Sequence, residues 1–398
     1  MNGLTDEAYR QDVKSWLAEH AAEYAEPRDF DEIELVERSK AWIRAKHEAG
    51  YSAITEPEEA GGAGGSSAQA MIFAEEQAKY HTPIFTGISI GFNMAMAALR
   101  DHGTSEQYHE FAKLTHSGEI SWCQLFSEPG AGSDLAGLRA KAVRDGDNWV
   151  VNGQKVWSSW AHHADWGILI VRTDPSVPKH NGLSFFAVDM KSPGIEVRPI
   201  RQITGDSDFN ETFMTDVVIP DANRIGSEGG GWGVCMTVLA SERNMSRGAV
   251  NEEQKPDSVL SLVRRATEQS MLDDSAVREK LCDWYVREQG LKHFGQRLRE
   301  SGEKDPALMS KVPLTKLVSA SLMQKTNAFL MDVDEYAGLF SETNPDQDDT
   351  FNRYLWSAAM RVAGGADEVL RNQLAERALG MPGEMRADKG VPFQDLPS

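Results

Sequence analysis

The 398-residue chain is poor in cysteine. It has three, Cys123, Cys235 and Cys282, an odd number and far apart, so a disulfide framework is excluded. No Cys-x-x-Cys pair or other metal spacing appears, and reduced thiols in a cytoplasmic protein without a metal are expected. Positive charge is also short, with 41 Lys and Arg against 61 Asp and Glu and a net charge of −20. That balance argues against nucleic acid and anionic membranes as partners, and an anionic substrate would need a local positive site. No apolar run approaches membrane-spanning length. The start, "MNGLTDEAYRQDVKSWLAEH", is polar and acidic and lacks the apolar core of a secretion signal. Internal repeats and long low-complexity segments are missing too. What remains, 40% hydrophobic and 26% charged residues, suits an ordinary globular protein with room for two or three structural units.

The texture changes twice along the chain. In "DEAYRQDVKSWLAEHAAEY", Tyr9, Val13, Trp16, Leu17 and Tyr24 recur at helical spacing. "ELVERSKAWIRAKHEAG" repeats this with Leu35, Trp42 and Ile43 and stops at Gly50. From Ile120 to about Pro220, short β-prone runs are bounded by Gly, Pro and Asp, and "DGDN" and "NG" both read as turns. Helical patterns return at "GGGWGVCMTVLASERNMSRG", with loop-like breaks at "EEQKPDS" and "SETNPDQDD". The expected domains are therefore a helical one over 1–119, a β one over 120–228 and a helical one over 229–398.

The stretch "WCQLFSEPGAGSDLAG" (122–137) carries three glycines after an apolar segment. A nicotinamide-binding loop would need a glycine at Leu135 and a helix after it, and neither is there. A phosphate loop of the Walker type would need Lys-Ser/Thr after the glycines. The hydroxyls of Ser127 and Ser133 and the bare glycine N–H groups suit a polar ligand, but also a plain turn.

Several segments together resemble the acyl-CoA dehydrogenases: "CQLFSEPGAGSDLAG", "PEEAGGAGGSSAQAMIFAEEQA", "NGQKVWSSWAHHADWGILIVRT", "GGGWGVCMTVLASERNMSRG" and "RVAGGADEVLRNQLAERALGMP". The likeness spans nearly the whole chain in order and weakens between Asn251 and Phe351. It implies a multidomain α+β fold: an N-terminal helical domain, a middle β-barrel or sandwich domain and a C-terminal four-helix bundle. It also implies bound FAD, an acyl-CoA substrate and α,β-dehydrogenation, with an electron-transfer flavoprotein as acceptor.

Carried over residue by residue, the resemblance places Gln124, Phe126, Ser127, Gly132 and Ser133 on the flavin loop, with Ser133 also near the acyl-CoA. Trp157 would pack on the flavin and Ser159 would reach its polar edge. Read alone, Trp157 is better explained by strand packing and Ser159 by a turn hydroxyl. The base that removes the α-proton sits at one of two places in the family. Gly364 occupies one and cannot serve. Glu242, within "LASER", occupies the other. Val234, Val238 and Glu242 recur every four residues, so Glu242 extends an apolar stripe, where a carboxylate is either paired or made a stronger base by desolvation. Its neighbour Arg243 is a candidate ion-pair partner or substrate contact. Asp367 and Glu368 are weaker rivals.

Three departures concern the half of the flavin site that family members lend to a neighbouring subunit. The Arg-x-x-Phe-Gly stretch is replaced by "LVRRATEQSMLDDSAVREKL", a Gln-Gly-Gly segment by "DEYAGLF", and the Thr after Gly365 by Ala366. Two assemblies follow: an α2β2 heterotetramer with a second dehydrogenase-like subunit, as in actinobacterial enzymes of steroid side-chain breakdown, or a homo-oligomer in which Arg264, Arg265 or Arg278 takes over. Small residues around Ser241 suit a bulky acyl group. A flavin oxidase or monooxygenase on the same fold, and a non-catalytic partner subunit, are the competing functions.

Overall fold

Apolar residues four apart bury one stripe of the first helix. Tyr9, Val13, Leu17 and Ala21 are its buried positions. In this computed structural model the described residues are 5–25, 31–83, 85–245, 258–301, 305–333 and 345–397, apart from the side chains of 243–245, 299 and 345–349. Two compact units emerge, residues 1–250 with 387–398, and residues 251–386.

The first unit begins with helices α1 (Asp6–Tyr24), α2 (Glu32–Glu48), α3 (Ser67–Gln77), α4 (Thr86–Ile90), α5 (Met96–His102) and α6 (Ser105–His116). The starts of α1, α2, α3 and α6 are chemically marked by a side-chain cap. The Asp31 carboxylate accepts the Glu34 N–H at 2.8 Å, and Ser66 and Thr104 form reciprocal capping boxes with Gln69 and Gln107. A single π turn, Gly91–Ala95, joins α4 to α5. Trp16 stacks on Trp42 at 5.3 Å, so the first two helices share an aromatic core with Tyr51 and Phe73.

Seven strands follow: β1 (Trp122–Leu125), β2 (Lys141–Asp145), β3 (Asn148–Ser159), β4 (Trp166–Arg172), β5 (Leu183–Asp189), β6 (Ile195–Ile200) and β7 (Phe209–Pro220). They form one sheet in the order β1-β4-β2-β3-β7-β6, with β5 on β4. "DGDN" does turn the chain: Asp145 pairs with Asn148 across Gly146, whose φ is +60°. "NG" does not. Asn152 and Gly153 lie inside β3, and the irregularity opposite them is a bulge in β7 near Asp216. The Asn152 amide accepts the Asp216 N–H at 3.0 Å and donates to its carboxylate at 2.9 Å. Gly153 is required by close approach, since a Cβ there would lie 2.4 Å from the Ala140 Cβ.

Helix α7 (Gly231–Met245) closes the first unit and packs its Val234, Cys235 and Val238 face on β5, α5 and the π turn. The second unit holds α8 (Val259–Glu268), α9 (Ser275–Ser301), α10 (Pro306–Met309), α11 (Pro313–Val333), α12 (Pro345–Ala359) and α13 (Asp367–Gln373). Helices α8, α9, α11 and α12 make its bundle around Leu262, Leu281, Trp284 and Phe329. Pro345 opens α12, so residues 345–349 of the expected "SETNPDQDD" break are helical, because proline suits a first helical position. The segments 252–257 and 334–344, with "DEYAGLF", lie outside the described residues. No described helix is long and apolar enough to cross a membrane.

One polar knot fastens the sheet to the loop before α7. The Asp221 carboxylate accepts the Trp149 indole N–H at 2.7 Å and the Arg224 Nε–H at 2.8 Å. Arg224, then Trp149, hold its carboxyl down to about 2, against a side-chain exposure of only 26%. A depressed carboxyl stabilises the fold above its unfolded value near 4 and loses that contribution as pH falls toward 2. Asp221→Asn is expected to cost about 2 kcal/mol at neutral pH. Denaturant titration at several pH values checks this: the gap to wild type must close between about pH 4 and 2, and a constant gap refutes the assignment.

Candidate active site

The glycine stretch leaves β1 and is held from beneath by a buried ion pair. Lys155, fully buried on β3, donates to the Phe126 carbonyl at 3.0 Å and to the Glu128 carboxylate at 2.9 Å. Glu128 in turn accepts the Arg139 and Ala140 N–H groups at 2.7 and 2.9 Å. Glu128 and Ala131 exchange two backbone bonds of 3.0 Å, which closes the turn. Burial pulls the Lys155 ammonium below its ordinary value, and Glu128 opposes that pull.

A second clamp holds the end of the same segment. Buried Arg172 donates to the carbonyls of Ala136, Lys179 and Leu138 at 2.7, 3.0 and 3.2 Å. Its guanidinium lies 3.4 Å from the Phe393 ring centre, and burial pulls it down to about 10. Lys179 donates to both carboxylate oxygens of Asp134 at 2.8 Å and meets Asp388 at 2.5 Å. Between the two clamps, Gly132 and Ser133 are exposed, and a Cβ at Gly130 or Gly132 would meet nothing within 4 Å. The segment is thus a fixed rim with bare N–H groups rather than a loose turn.

The structure brings the β3 candidates to this rim. Val156 N–H donates to the Ser127 carbonyl at 2.9 Å, so Trp157 follows directly. Here β3 bulges between Lys155 and Ser158. Trp157 has φ +62° and its side chain is 59% exposed, touching only the Phe209 ring edge-on at 6.1 Å among the described aromatic pairs. A left-handed tryptophan costs about 1–3 kcal/mol and is kept only where the surroundings impose it. The strand-packing reading of Trp157 therefore fails. Phe126 is buried against Phe185, while Gln124, Ser127 and Ser159 are half-buried. An exposed flat indole one residue from the strand's bond to Ser127 fits a planar aromatic ligand at this rim.

Glu242 lies one turn beyond Val238 on α7, half-exposed, while Val234 and Val238 are buried. The buried Cys235 thiol, pushed up to about 12 by burial, also feels Lys155 and Glu242. The base candidate and the rim's lysine thus act on one buried atom. Ser241 lines a cavity of about 330 Å³ with Phe92, Asn93, Arg100, Glu56 and His116. The π turn that carries Phe92 and Asn93 is a device found at functional sites. The Arg243 side chain lies outside the described residues.

The rival Asp367 is disqualified as a base. It is 2% exposed, and burial would raise it, yet Lys316 at 3.0 Å and Arg361 at 2.6 Å outweigh that and keep it ionised. It heads α13 as a structural anion. Glu368 beside it is exposed. Lys155, Glu128, Arg172 and Lys179 escaped the sequence reading. One signal was available: Lys155 shares the inward parity of Trp149 and Val151 along β3.

A helical–β–helical chain with a clamped glycine rim and a carboxylate on the helix after the sheet defines a class, and comparison with known proteins gives it a name. Three family models match in order: the acyl-CoA dehydrogenase N-terminal domain over 5–119, the middle domain over 123–217 and the C-terminal domain over 229–379. The chain belongs to the acyl-CoA dehydrogenase family. Among its relatives is acyl-CoA dehydrogenase IpdE1 of Mycobacterium tuberculosis, 34% identical over 389 residues, covering 96% of this chain and 99% of that one. Acyl-CoA dehydrogenase FadE34 of the same organism is 39% identical over 325 residues; these cover 81% of this chain but only 43% of that longer protein. A solved structure titled Tcur3481-Tcur3483 steroid ACAD matches with a TM-score of 0.76 and 25% identity, covering 95% of this chain and 98% of that one.

Proposed function

We propose that the chain is an FAD-dependent dehydrogenase that converts an acyl-CoA thioester to its trans-2-enoyl form, with Glu242 as the base. The observation that carries this reading is the placement of Glu242. It ends the buried stripe of α7, next to the cavity residue Ser241, while the rival Asp367 is locked between cations. An α-proton of a thioester is weakly acidic, so the base must be partly removed from water and aimed. Glu242 takes that proton. Gln124, Phe126, Ser127, Gly132, Ser133, Trp157 and Ser159 hold the cofactor, and Ser133 also meets the substrate; Arg243 is kept as a substrate contact on the family likeness alone, its side chain lying outside the described residues. FAD, when bound, supplies the acceptor for the hydride that leaves the β-carbon. An electron-transfer flavoprotein is the proposed next acceptor.

The acyl group is proposed to be bulky and of the steroid side-chain kind, which the likeness to a steroid ACAD and the open space at Ser241 support. The proposed assembly is an α2β2 heterotetramer, because the segments that would complete a neighbour's flavin site depart from the family. The test is the visible flavin absorbance of the chain purified alone and with its partner, followed by anaerobic addition of substrate. Bleaching by a steroid-type acyl-CoA is expected. Stoichiometric flavin on the chain alone would overturn the heteromer, and no bleaching with any acyl-CoA would overturn the dehydrogenase.

Trp157 gives a sharper check. Its side chain packs little and its backbone is strained. Trp157→Ala is expected to change stability by no more than about 0.5 kcal/mol while weakening FAD binding about ten-fold or more. Cofactor titration and thermal melts of the apoprotein separate the two effects.

A further inference from the structure

Spacing along the chain gives no metal site, yet folding makes a three-ligand cluster. Glu32 is the first residue of α2, and His162 and His163 lie in the turn after β3, some 130 positions away. Both imidazole Nε2 atoms converge on one carboxylate oxygen, Glu32 Oε2, at 3.0 Å from His162 and 3.3 Å from His163. One donor atom from each residue lies within 4.8 Å of the others. The two histidine side chains are only 16% and 18% exposed, and Glu32 is 43% exposed.

We infer that Glu32, His162 and His163 form a binding site for a divalent transition metal of the zinc class, clipping the start of α2 to the turn after β3. The distances carry the argument. Zinc–nitrogen and zinc–oxygen bonds are about 2.0–2.2 Å, so two donors on one tetrahedral ion stand roughly 3.3 Å apart. The Glu32 oxygen already stands near that separation from both nitrogens, and the two nitrogens, no more than 4.8 Å apart, need only close on the ion.

Two imidazoles and one carboxylate suit zinc better than magnesium or calcium, which prefer oxygen alone. The turn is fixed before any ion arrives. His163 N–H donates to the Trp160 carbonyl at 3.0 Å, and the Trp160 ring stacks on His162 with 12° between planes. The His162 and His163 rings lie 4.1 Å apart. Asp31 is committed to its helix cap, so the caps of α2 need not be undone to free Glu32. Asp208 is near enough to feel the charges of Glu32 and His162, which adds negative potential for a cation. Three protein ligands leave one vertex for water.

The test uses the full, tag-free chain stripped with EDTA and dialysed against Zn²⁺ alone. Wild type is expected to take up one equivalent more than the His162→Ala/His163→Ala double variant, and to gain thermal stability with Zn²⁺ that the variant does not. Glu32→Gln keeps a hydrogen-bonding oxygen but loses the anionic ligand, and its Zn²⁺ affinity is expected to fall at least ten-fold. Circular dichroism confirms that each variant is folded. Loading with Co²⁺ is expected to give a visible band in wild type that the double variant lacks. Equal Zn²⁺ uptake by wild type and double variant would overturn the site and leave a hydrogen-bonded cluster that needs no ion. These readouts do not involve acyl-CoA turnover, so they stand or fall apart from the dehydrogenase reading.

Discussion

Glu242→Gln is expected to lower turnover by about a thousand-fold or more while leaving the fold and cofactor affinity unchanged. The amide has the shape of the carboxylate and keeps one acceptor oxygen, so packing against the Val238 turn is preserved. It cannot accept a proton from carbon. A positioned base contributes roughly 10²–10⁴ in rate, and among the described residues neither rival position offers a second base. Gly364 has no side chain, and Asp367 is held by Lys316 and Arg361. Exchange of the substrate α-proton with heavy water gives a direct readout, independent of the electron acceptor. Exchange should be lost in Glu242→Gln and retained in Asp367→Asn molecules that fold. Turnover above a tenth of wild type would remove Glu242 from the base role. If wild type itself neither turns over nor exchanges the α-proton, the chain is a non-catalytic partner.

The helical parts were legible because their signals are local. Tyr9, Val13 and Leu17 announce α1 by spacing, and Val234, Val238 and Glu242 mark one face of α7 by the same rule. The hairpin at Gly146 was legible for the same reason, since two residues decide it. Asn152–Gly153 misled because the same dipeptide serves two geometries. In a hairpin it supplies positive φ; here the glycine makes room for Ala140 and the asparagine seals a bulge in another strand. What decides between them is β7, sixty residues on. The support of the rim was illegible for a related reason. Lys155 and Glu128, Arg172 and Phe393, and Lys179 and Asp388 are paired across long stretches of sequence, and no spacing reports them. Trp157 was legible only through the family likeness. Its left-handed backbone and exposure are what turn that likeness into a physical argument.

Removing Glu128 is expected to be the most damaging single change to the rim. Lys155 is fully buried and Glu128 is 9% exposed, so neither charge is solvated from outside. Breaking such a pair by deleting one partner costs about 3–5 kcal/mol, because the remaining charge keeps its desolvation penalty and loses its compensation. Glu128→Ala also removes the acceptor of the part-buried Ala140 N–H and of the solvent-exposed Arg139 N–H. Burial already pulls the Lys155 ammonium down, and Glu128 is the main influence opposing that pull, so its loss lets burial pull the ammonium further. Thermal melting should fall by roughly 10 °C, at about 2–4 °C per kcal/mol for a unit of this size. FAD affinity should fall with it, since Glu128 closes the turn that bares Gly130 and Gly132. The double variant Lys155→Met/Glu128→Gln separates charge from shape. It leaves no buried ion and restores an acceptor for the Arg139 and Ala140 N–H groups, so it should recover more than half of the lost stability. A Glu128→Ala protein within about 1 kcal/mol of wild type would mean that Arg172 and Lys179 hold the rim without the ion pair.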